Sequence, residues 1–377
     1  MHYTETMKIS LDSHSLIIQW ADGNVSAYPY LWLRDTDPSG FHPQTGERTF
    51  DLSSVALDIK AIDASIDGET LVVNWPDKPK PSCFSLDWIR QHRPGQQRHD
   101  PASEEPIHWR GDQEASTIAR FCATEIIESE QVLADWLRTT KRYGLSIVDG
   151  LADTTDAGQA IARQVASLRT TNFGTTFEVI SKSDPNNLAY TAEALPLHTD
   201  LTNQELPPGY QFLHCLSNDA VGGGSIFCDG FAVAADMQDQ EPELADRLAT
   251  TLVPHRFHDN ETDIRARKSV ITRSFEGRTI EICFNAHLAD ILDLEADELI
   301  PFYEAYRSFM LMTRSKAYTV SLRLMAGEMV VFDNRRVLHG REAFEQGSGK
   351  RHLHGCYVDR ADWDSRLRVL ARSKAAA

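Results

Sequence analysis

Leu197-His198-Thr199-Asp200 and, far along the chain, Met329-Val330-Val331-Phe332-Asp333-Asn334-Arg335-Arg336-Val337-Leu338-His339-Gly340 together decide the fold. In an extended strand, positions i and i+2 share a face, so His198 and Asp200 address one point while Thr199 points away. A second imidazole must come from elsewhere. His339 follows shortly after Met329-Val330-Val331-Phe332, an unbroken apolar run of the kind buried strands carry. Two imidazoles and one carboxylate hold non-haem iron from one side and leave the remaining positions open. A barrel brings such distant strand ends together. An HxD pair alone carries little weight in a chain with 14 histidines. Arg351, shortly beyond His339, adds to it: on the next strand of the same barrel, a guanidinium can hold a dicarboxylate through two parallel hydrogen bonds. A surface ion pair is the plainer reading of Arg351.

Outward from these segments, the pattern is of short strands separated by Gly, Pro and Asn turns, with a longer helical stretch from Asp297 to Lys316. That is a mainly β fold with helices, an antiparallel barrel or sandwich. Upstream, Glu130 to Leu137 has apolar residues at helical spacing, Gly144 to Val148 reads as a strand, and a second helix is expected around Ala157 to Leu168. Residues 1–93 carry strand-like runs such as Ser15 to Trp20 and Thr70 to Trp75 between turns, and read as a small β-rich domain. Residues 94–112, polar and punctuated by Pro101, Pro106 and Gly111, read as a linker, leaving 113–377 as the larger domain. No internal repeat or low-complexity segment appears.

The formal net charge of −17 repels phosphate backbones and anionic membrane surfaces, which argues against nucleic acid and lipid as partners. An anionic ligand needs a local positive pocket. The six cysteines are scattered singly, without a CxxC pair, and are expected to be reduced core thiols of a cytoplasmic protein. The first residues lack a basic region followed by an apolar run, and no apolar stretch reaches membrane-spanning length.

The stretch Leu197 to Phe231, with His198-Thr199-Asp200, Pro207-Pro208-Gly209, Leu213-His214-Cys215, Gly222-Gly223-Gly224-Ser225 and Asp229-Gly230-Phe231, resembles the γ-butyrobetaine hydroxylase family. So do Phe332-Asp333-Asn334 through Leu338-His339-Gly340-Arg341, followed by Arg351-His352-Leu353, and, near the start, Tyr30 to Asp35. The resemblance implies a double-stranded β-helix (jelly-roll) core with a small N-terminal domain. It implies Fe(II), 2-oxoglutarate and O2, with His198, Asp200 and His339 as iron ligands and a homodimeric assembly. Arg351 then holds the distal 2-oxoglutarate carboxylate and Ser225 adds a hydroxyl, although a turn hydrogen bond explains Ser225 equally well.

A trimethylammonium group has no N–H to donate, so aromatic faces recognise it through cation–π attraction. The family's cage falls on Phe173, Phe177, Tyr190 and Tyr357, two of them Phe where Tyr and Trp are usual. Its carboxylate-binding groups fall on Asn187, Asn285 and Leu201, and leucine cannot donate. His287, just past Asn285, offers donors or charge to a different anion, and the altered pocket favours 2-(trimethylammonio)ethylphosphonate over γ-butyrobetaine, which would give carnitine. A hydrogen-bonded structural histidine is the plainer reading of His287. Many relatives hold structural zinc in the small domain with three cysteines and a histidine. Here Asp37, Ser39 and His42 stand in that region and no cysteine lies between Arg34 and Phe50, so no zinc is expected there. A non-catalytic metal-dependent anion-binding protein and a zinc hydrolase on a similar barrel remain open alternatives.

Overall fold

A computed structural model describes residues 7–112, 115–180, 193–345 and 347–376. The chain divides into two compact units, Met1–Asp100 and Pro101–Ala377.

In the first unit, β1 (Lys8–Leu11), β2 (Ser15–Gln19) and β3 (Val25–Pro29) form one antiparallel meander. Helix α1 (Tyr30–Asp35) follows, and a second meander is made of β4 (Asp63–Asp67), β5 (Thr70–Trp75) and β6 (Lys78–Ser85) before helix α2 (Leu86–Gln91). Alternation along β5 turns Leu71, Val73 and Trp75 inward, where they meet Leu16, Ile18, Tyr28 and Phe84. The β-rich reading of this part of the sequence is what the backbone adopts.

The second unit contains β7 (Arg120–Cys122), α3 (Ala123–Glu128), α4 (Glu130–Tyr143), β8 (Leu145–Asp149), α5 (Thr155–Val165), β9 (Thr176–Val179), β10 (Leu195–His198), β11 (Tyr210–Asn218) and β12 (Ser225–Asp229). It continues through α6 (Gly230–Gln240), α7 (Pro242–Thr250), β13 (Val253–His258), β14 (Asp263–Lys268), β15 (Ile271–Arg273), β16 (Thr279–Ile282) and α8 (Ala296–Arg314). The last elements are β17 (Thr319–Leu322), β18 (Met329–Asp333), β19 (Val337–Arg341), β20 (Arg351–Val358) and α9 (Arg360–Ala376). Two sheets carry the architecture: a six-stranded one in the order β7-β8-β18-β11-β20-β9 and a four-stranded one in the order β10-β19-β12-β17. Only the β7–β8 pair within them is parallel. This is the jelly roll expected from the sequence.

Strand period explains the layering. Along β18, Val330 and Phe332 face the core between the sheets, together with Leu213, Phe227, Val337 and Leu353. Met329 and Val331 point the other way, onto α4, α5 and α9 through Trp136, Leu137, Ile161 and Trp363. That two-sided burial is why the run at 329–332 is unbroken in apolar residues. The outer face of the four-stranded sheet lies under α6, α7 and α8, with Cys228 and Leu338 against Met237, Leu248, Phe302 and Phe309.

Two expectations are corrected. Residues from Ala102 onward are not a bare linker: Ala102 and Trp109 are buried, and Gly111 N–H donates to the Ala317 carbonyl within the second unit. Cys215, Cys228, Cys283 and Cys356 are buried thiols, but Cys83 and Cys122 are exposed. Cys83 takes the outward position of β6 between inward Ser82 and Phe84, and Cys122 lies on edge strand β7. No helix among the described residues is long and apolar enough to cross a membrane.

Candidate metal centre

His198 closes β10 and His339 is the middle residue of β19, directly opposite it across the antiparallel pair. Their rings lie 4.3 Å apart. Asp200 is already past the strand, in a turn, so the shared-face argument reaches the right convergence by a different route. The Asn334 side chain holds that turn: its Oδ1 accepts from Asp200 N at 2.7 Å, and its Nδ2 donates to the Asp200 and Pro208 carbonyls, each at 3.1 Å. His198 Nδ1–H donates to the Pro196 carbonyl at 2.9 Å, which orients the ring with Nε2 toward Asp200. Nε2 faces Asp200 Oδ1 at 3.1 Å, and His339 Nε2 stands 3.7 Å from the same oxygen.

Neighbouring ligands of a small divalent ion, each about 2.1 Å from it, stand roughly 3 Å apart. One ligand atom from each of the three residues lies within 4.8 Å of the others. Burial, then the nearby His198, pushes the His339 pKa down to about 3. Burial pushes Asp200 up, but His339, His198 and the Tyr357 hydroxyl outweigh it and hold the carboxyl well below the usual range. A neutral His339 and an ionised Asp200 are in the states a metal requires, and His198 turns Nε2 to the same point, so this donor set fits Fe(II).

The three groups open onto a cavity of about 300 Å³. Of the other residues singled out in the sequence, Phe173, Phe177, Ser225, Asn285, His287, Arg351 and Tyr357 line it, whereas Asn187 and Tyr190 lie outside the described residues. Arg351 opens β20, and strand period aims it, Leu353 and Tyr357 into the cavity. Its Nε donates to the Gly223 carbonyl at 3.3 Å. Gly223, at φ 70°, suits this close approach, since a Cβ there would stand 3.2 Å from the Arg351 side chain. No carboxylate among the described residues forms an ion pair with Arg351, and burial together with Arg341 pushes its pKa down to about 10. Arg341, opposite Ser225 on β19, shares the Phe344 ring with it at 5.0 and 6.0 Å. Two buried guanidiniums and a hydroxyl fit a dicarboxylate.

The aromatic residues gather in pairs. Phe177 on β9 stacks on Tyr357 at 5.0 Å and 26°, made possible by Gly355, whose Cβ would strike the Phe177 ring. Phe173 meets Phe257 edge to face at 5.2 Å and 67°. Asn285 is largely occupied within the chain: Nδ2 donates to the Thr199 carbonyl and Oδ1 accepts from the His287 and Leu288 amides. Burial and the adjacent His198 push His287 down to about 4, so at neutral pH it brings donor capacity without charge. Leu201 lines the cavity at φ 55° and, as expected, donates nothing.

Residues 114–357 match the taurine catabolism dioxygenase TauD, TfdA family, and residues 7–90 match the γ-butyrobetaine hydroxylase-like N-terminal family. The γ-butyrobetaine dioxygenase of Pseudomonas sp. (strain AK-1) is 38% identical over 358 residues, covering 94% of this chain and 93% of that protein. The chain belongs to the γ-butyrobetaine hydroxylase family. The Homo sapiens γ-butyrobetaine dioxygenase is 30% identical over 375 residues, 95% of each chain. A taurine dioxygenase structure from Burkholderia xenovorans shares the fold at a TM-score of 0.50 and 15% identity, covering 68% of this chain and 90% of that one. As a γ-butyrobetaine hydroxylase family member, the protein is an Fe(II)- and 2-oxoglutarate-dependent dioxygenase.

Sequence reasoning missed Phe257, Asn334, Arg341 and Gln211 as contributors. Asn334 and Arg341 sat inside the quoted motif, and an Asn ending a strand beside a turn is a recognisable clamp. Gln211 and Phe257 carry no local signal and enter only through tertiary placement.

Proposed function

We propose that this dioxygenase hydroxylates a small molecule with a trimethylammonium head and an anionic tail. His198, Asp200 and His339 hold the iron, and Arg351 with Ser225 holds 2-oxoglutarate. One observation carries the reading: aromatic faces and the metal triad line the same cavity, and Tyr357 touches both, stacking on Phe177 while its hydroxyl donates to Asp200 at 2.6 Å. The names of the similar γ-butyrobetaine dioxygenases support it.

Bound there, iron with 2-oxoglutarate and O2 supplies an oxidant that turns a C–H into a C–OH, and 2-oxoglutarate leaves as succinate and CO2. The residues of this chain do the positioning. Phe173, Phe177 and Tyr357 receive the cationic head through their faces. The neutral groups His287 and Gln211 orient the tail, His287 from a segment whose turn Asn285 holds. Holding both ends leaves one substrate carbon beside the triad, which is how binding is converted into regioselectivity.

For the tail, we favour the carboxylate of γ-butyrobetaine over the phosphonate that the sequence alone pointed to. A phosphonate, with its higher charge, calls for cationic partners. Among the described lining residues the guanidiniums are Arg341 and Arg351, grouped around Phe344 and Ser225, whereas Asn285, His287 and Leu201 bring no charge. The test is turnover of the two substrates side by side with Fe(II), 2-oxoglutarate and O2. A kcat/KM at least about tenfold higher for γ-butyrobetaine, worth about 1.4 kcal/mol, is expected. A preference for the phosphonate of that size would reverse the assignment.

A further inference from the structure

We infer that Phe257 is a specificity-determining wall of the head-group pocket, fitting it to a quaternary ammonium rather than to a neutral group of the same shape. The inference rests on the trimethylammonium reading above and deepens it. Phe257 belongs to neither sheet of the jelly roll: it comes from the β13–β14 hairpin, which forms a two-stranded sheet of its own. Alternation along β13 buries Val253, His255 and Phe257 and turns Pro254, Arg256 and His258 outward.

The hairpin is fixed where it lies. Arg256 N–H donates to the Leu288 carbonyl and Asp290 N–H to the Pro254 carbonyl, both at 2.8 Å, with a bridge between His255 and Ala289. Those bonds tie it to the segment that carries Asn285 and His287, so the placement of Phe257 is coupled to the tail end of the cavity.

Its ring meets Phe173 at 67°, and both line the cavity. Two rings at that angle form a corner with an aromatic face on each side, a shape that a roughly spherical trimethylammonium group fills while touching both faces. Among the described residues no guanidinium lies over either ring. Among the described lining residues the carboxylate is that of Asp200, which belongs to the metal triad, so recognition of the cation falls to the aromatic faces. Phenylalanine is a weaker cation–π partner than tryptophan, and this chain carries Phe at positions 173 and 177, so an additional ring has a recognition role to fill.

The experiment measures Kd by calorimetry, without oxygen, on enzyme loaded with Fe(II) and 2-oxoglutarate. The ligands are γ-butyrobetaine and 5,5-dimethylhexanoate, which replaces the ammonium nitrogen by carbon and keeps the shape. Wild type is expected to prefer the cation. Phe257→Leu, which keeps an apolar side chain and removes the π face, should cut that preference by about fivefold to tenfold while moving the Kd of the isostere less than about twofold. Phe257→Tyr should restore it, and thermal unfolding of both variants reports their folding. If wild type discriminates and Phe257→Leu discriminates equally, or if the variant weakens both ligands alike, the Phe257 assignment falls and the substrate class stands. If wild type binds neither ligand, or the isostere as tightly as the cation, the trimethylammonium reading falls and takes this assignment with it.

Discussion

The Tyr357 hydroxyl donates to Asp200 Oδ2 at 2.6 Å, while Asp200 Oδ1 faces His198 Nε2 at 3.1 Å. The carboxylate therefore has a separate partner for each oxygen, one turned to the two histidines and one tied to the wall of the cavity. Partners of this kind orient ligands and tune metal affinity, and their loss typically costs about 10- to 100-fold. Tyr357→Phe keeps the ring on Phe177 and removes the hydroxyl that donates to Asp200. Titration of the metal-free enzyme with Mn(II) should show Kd raised by about tenfold or more. An unchanged Kd would mean that the bond does not support the metal.

Arg351 makes no ion pair among the described residues, and burial beside Arg341 makes its charge costly until an anion arrives. Arg351→Met should raise the 2-oxoglutarate KM by about 100-fold, as expected for losing one or two charge-assisted hydrogen bonds. It should also abolish thermal stabilisation by 2-oxoglutarate. Arg351→Lys should recover only part of either effect, because an ammonium does not form the paired bonds of the planar fork. A variant with normal 2-oxoglutarate dependence would remove Arg351 from this role.

In the first unit, buried Asp37 accepts from Lys78, Ser82 and Ser39, with Arg34 at 3.7 Å. The Lys78 ammonium also meets Ser39 Oγ at 2.9 Å. A cation thus sits among the oxygens of Asp37, Ser39 and Ser82. Lys78→Met leaves the Asp37 carboxylate buried without that partner and should destabilise the unit by about 3–5 kcal/mol, whereas Asp37→Leu in the same chain should recover much of the loss. Denaturant unfolding measures both. Elemental analysis should find no stoichiometric zinc in this unit, and tightly held zinc would contradict the assignment.

Acid should weaken the fold through two buried histidines outside the metal centre. Among the described residues neither His214 ring nitrogen has a hydrogen-bond partner, and burial holds His214 and His255 at about 4. The unfolded chain takes up these protons at about pH 6.5 and the folded chain does not, so their contribution is intact above pH 6.5 and lost as pH falls toward 4. The slope is about 1.4 kcal/mol per pH unit for each histidine. His214→Leu should flatten the fall in Tm between pH 6.5 and 4.5 relative to wild type. Parallel curves would show that His214 is not responsible.

Much of this was legible in the chain because the signals are local. The run at Met329–Phe332 is apolar at every position because both faces of β18 are covered, and Gly144 ends α4 at φ 75°, where a left-handed cap is needed. His198, Asp200 and His339 could be matched by type and order. That His339 stands mid-strand opposite His198, rather than beyond a strand end, follows from the pairing of β10 with β19, which no short window contains. Asn285 resembles a ligand-binding amide in sequence, yet its side chain is mostly consumed by the turn it builds. Phe257 reaches the cavity from a hairpin outside the motif-bearing sheets, so nothing near it in sequence announces its place.

The most direct test follows succinate and hydroxylated product together, with γ-butyrobetaine as substrate, in wild type and His339→Ala. The two products should form one to one in wild type, require Fe(II), 2-oxoglutarate and O2, and disappear in His339→Ala along with one-to-one Fe(II) binding. Turnover that persists without iron, or survives the loss of His339, would contradict an iron centre built from His198, Asp200 and His339.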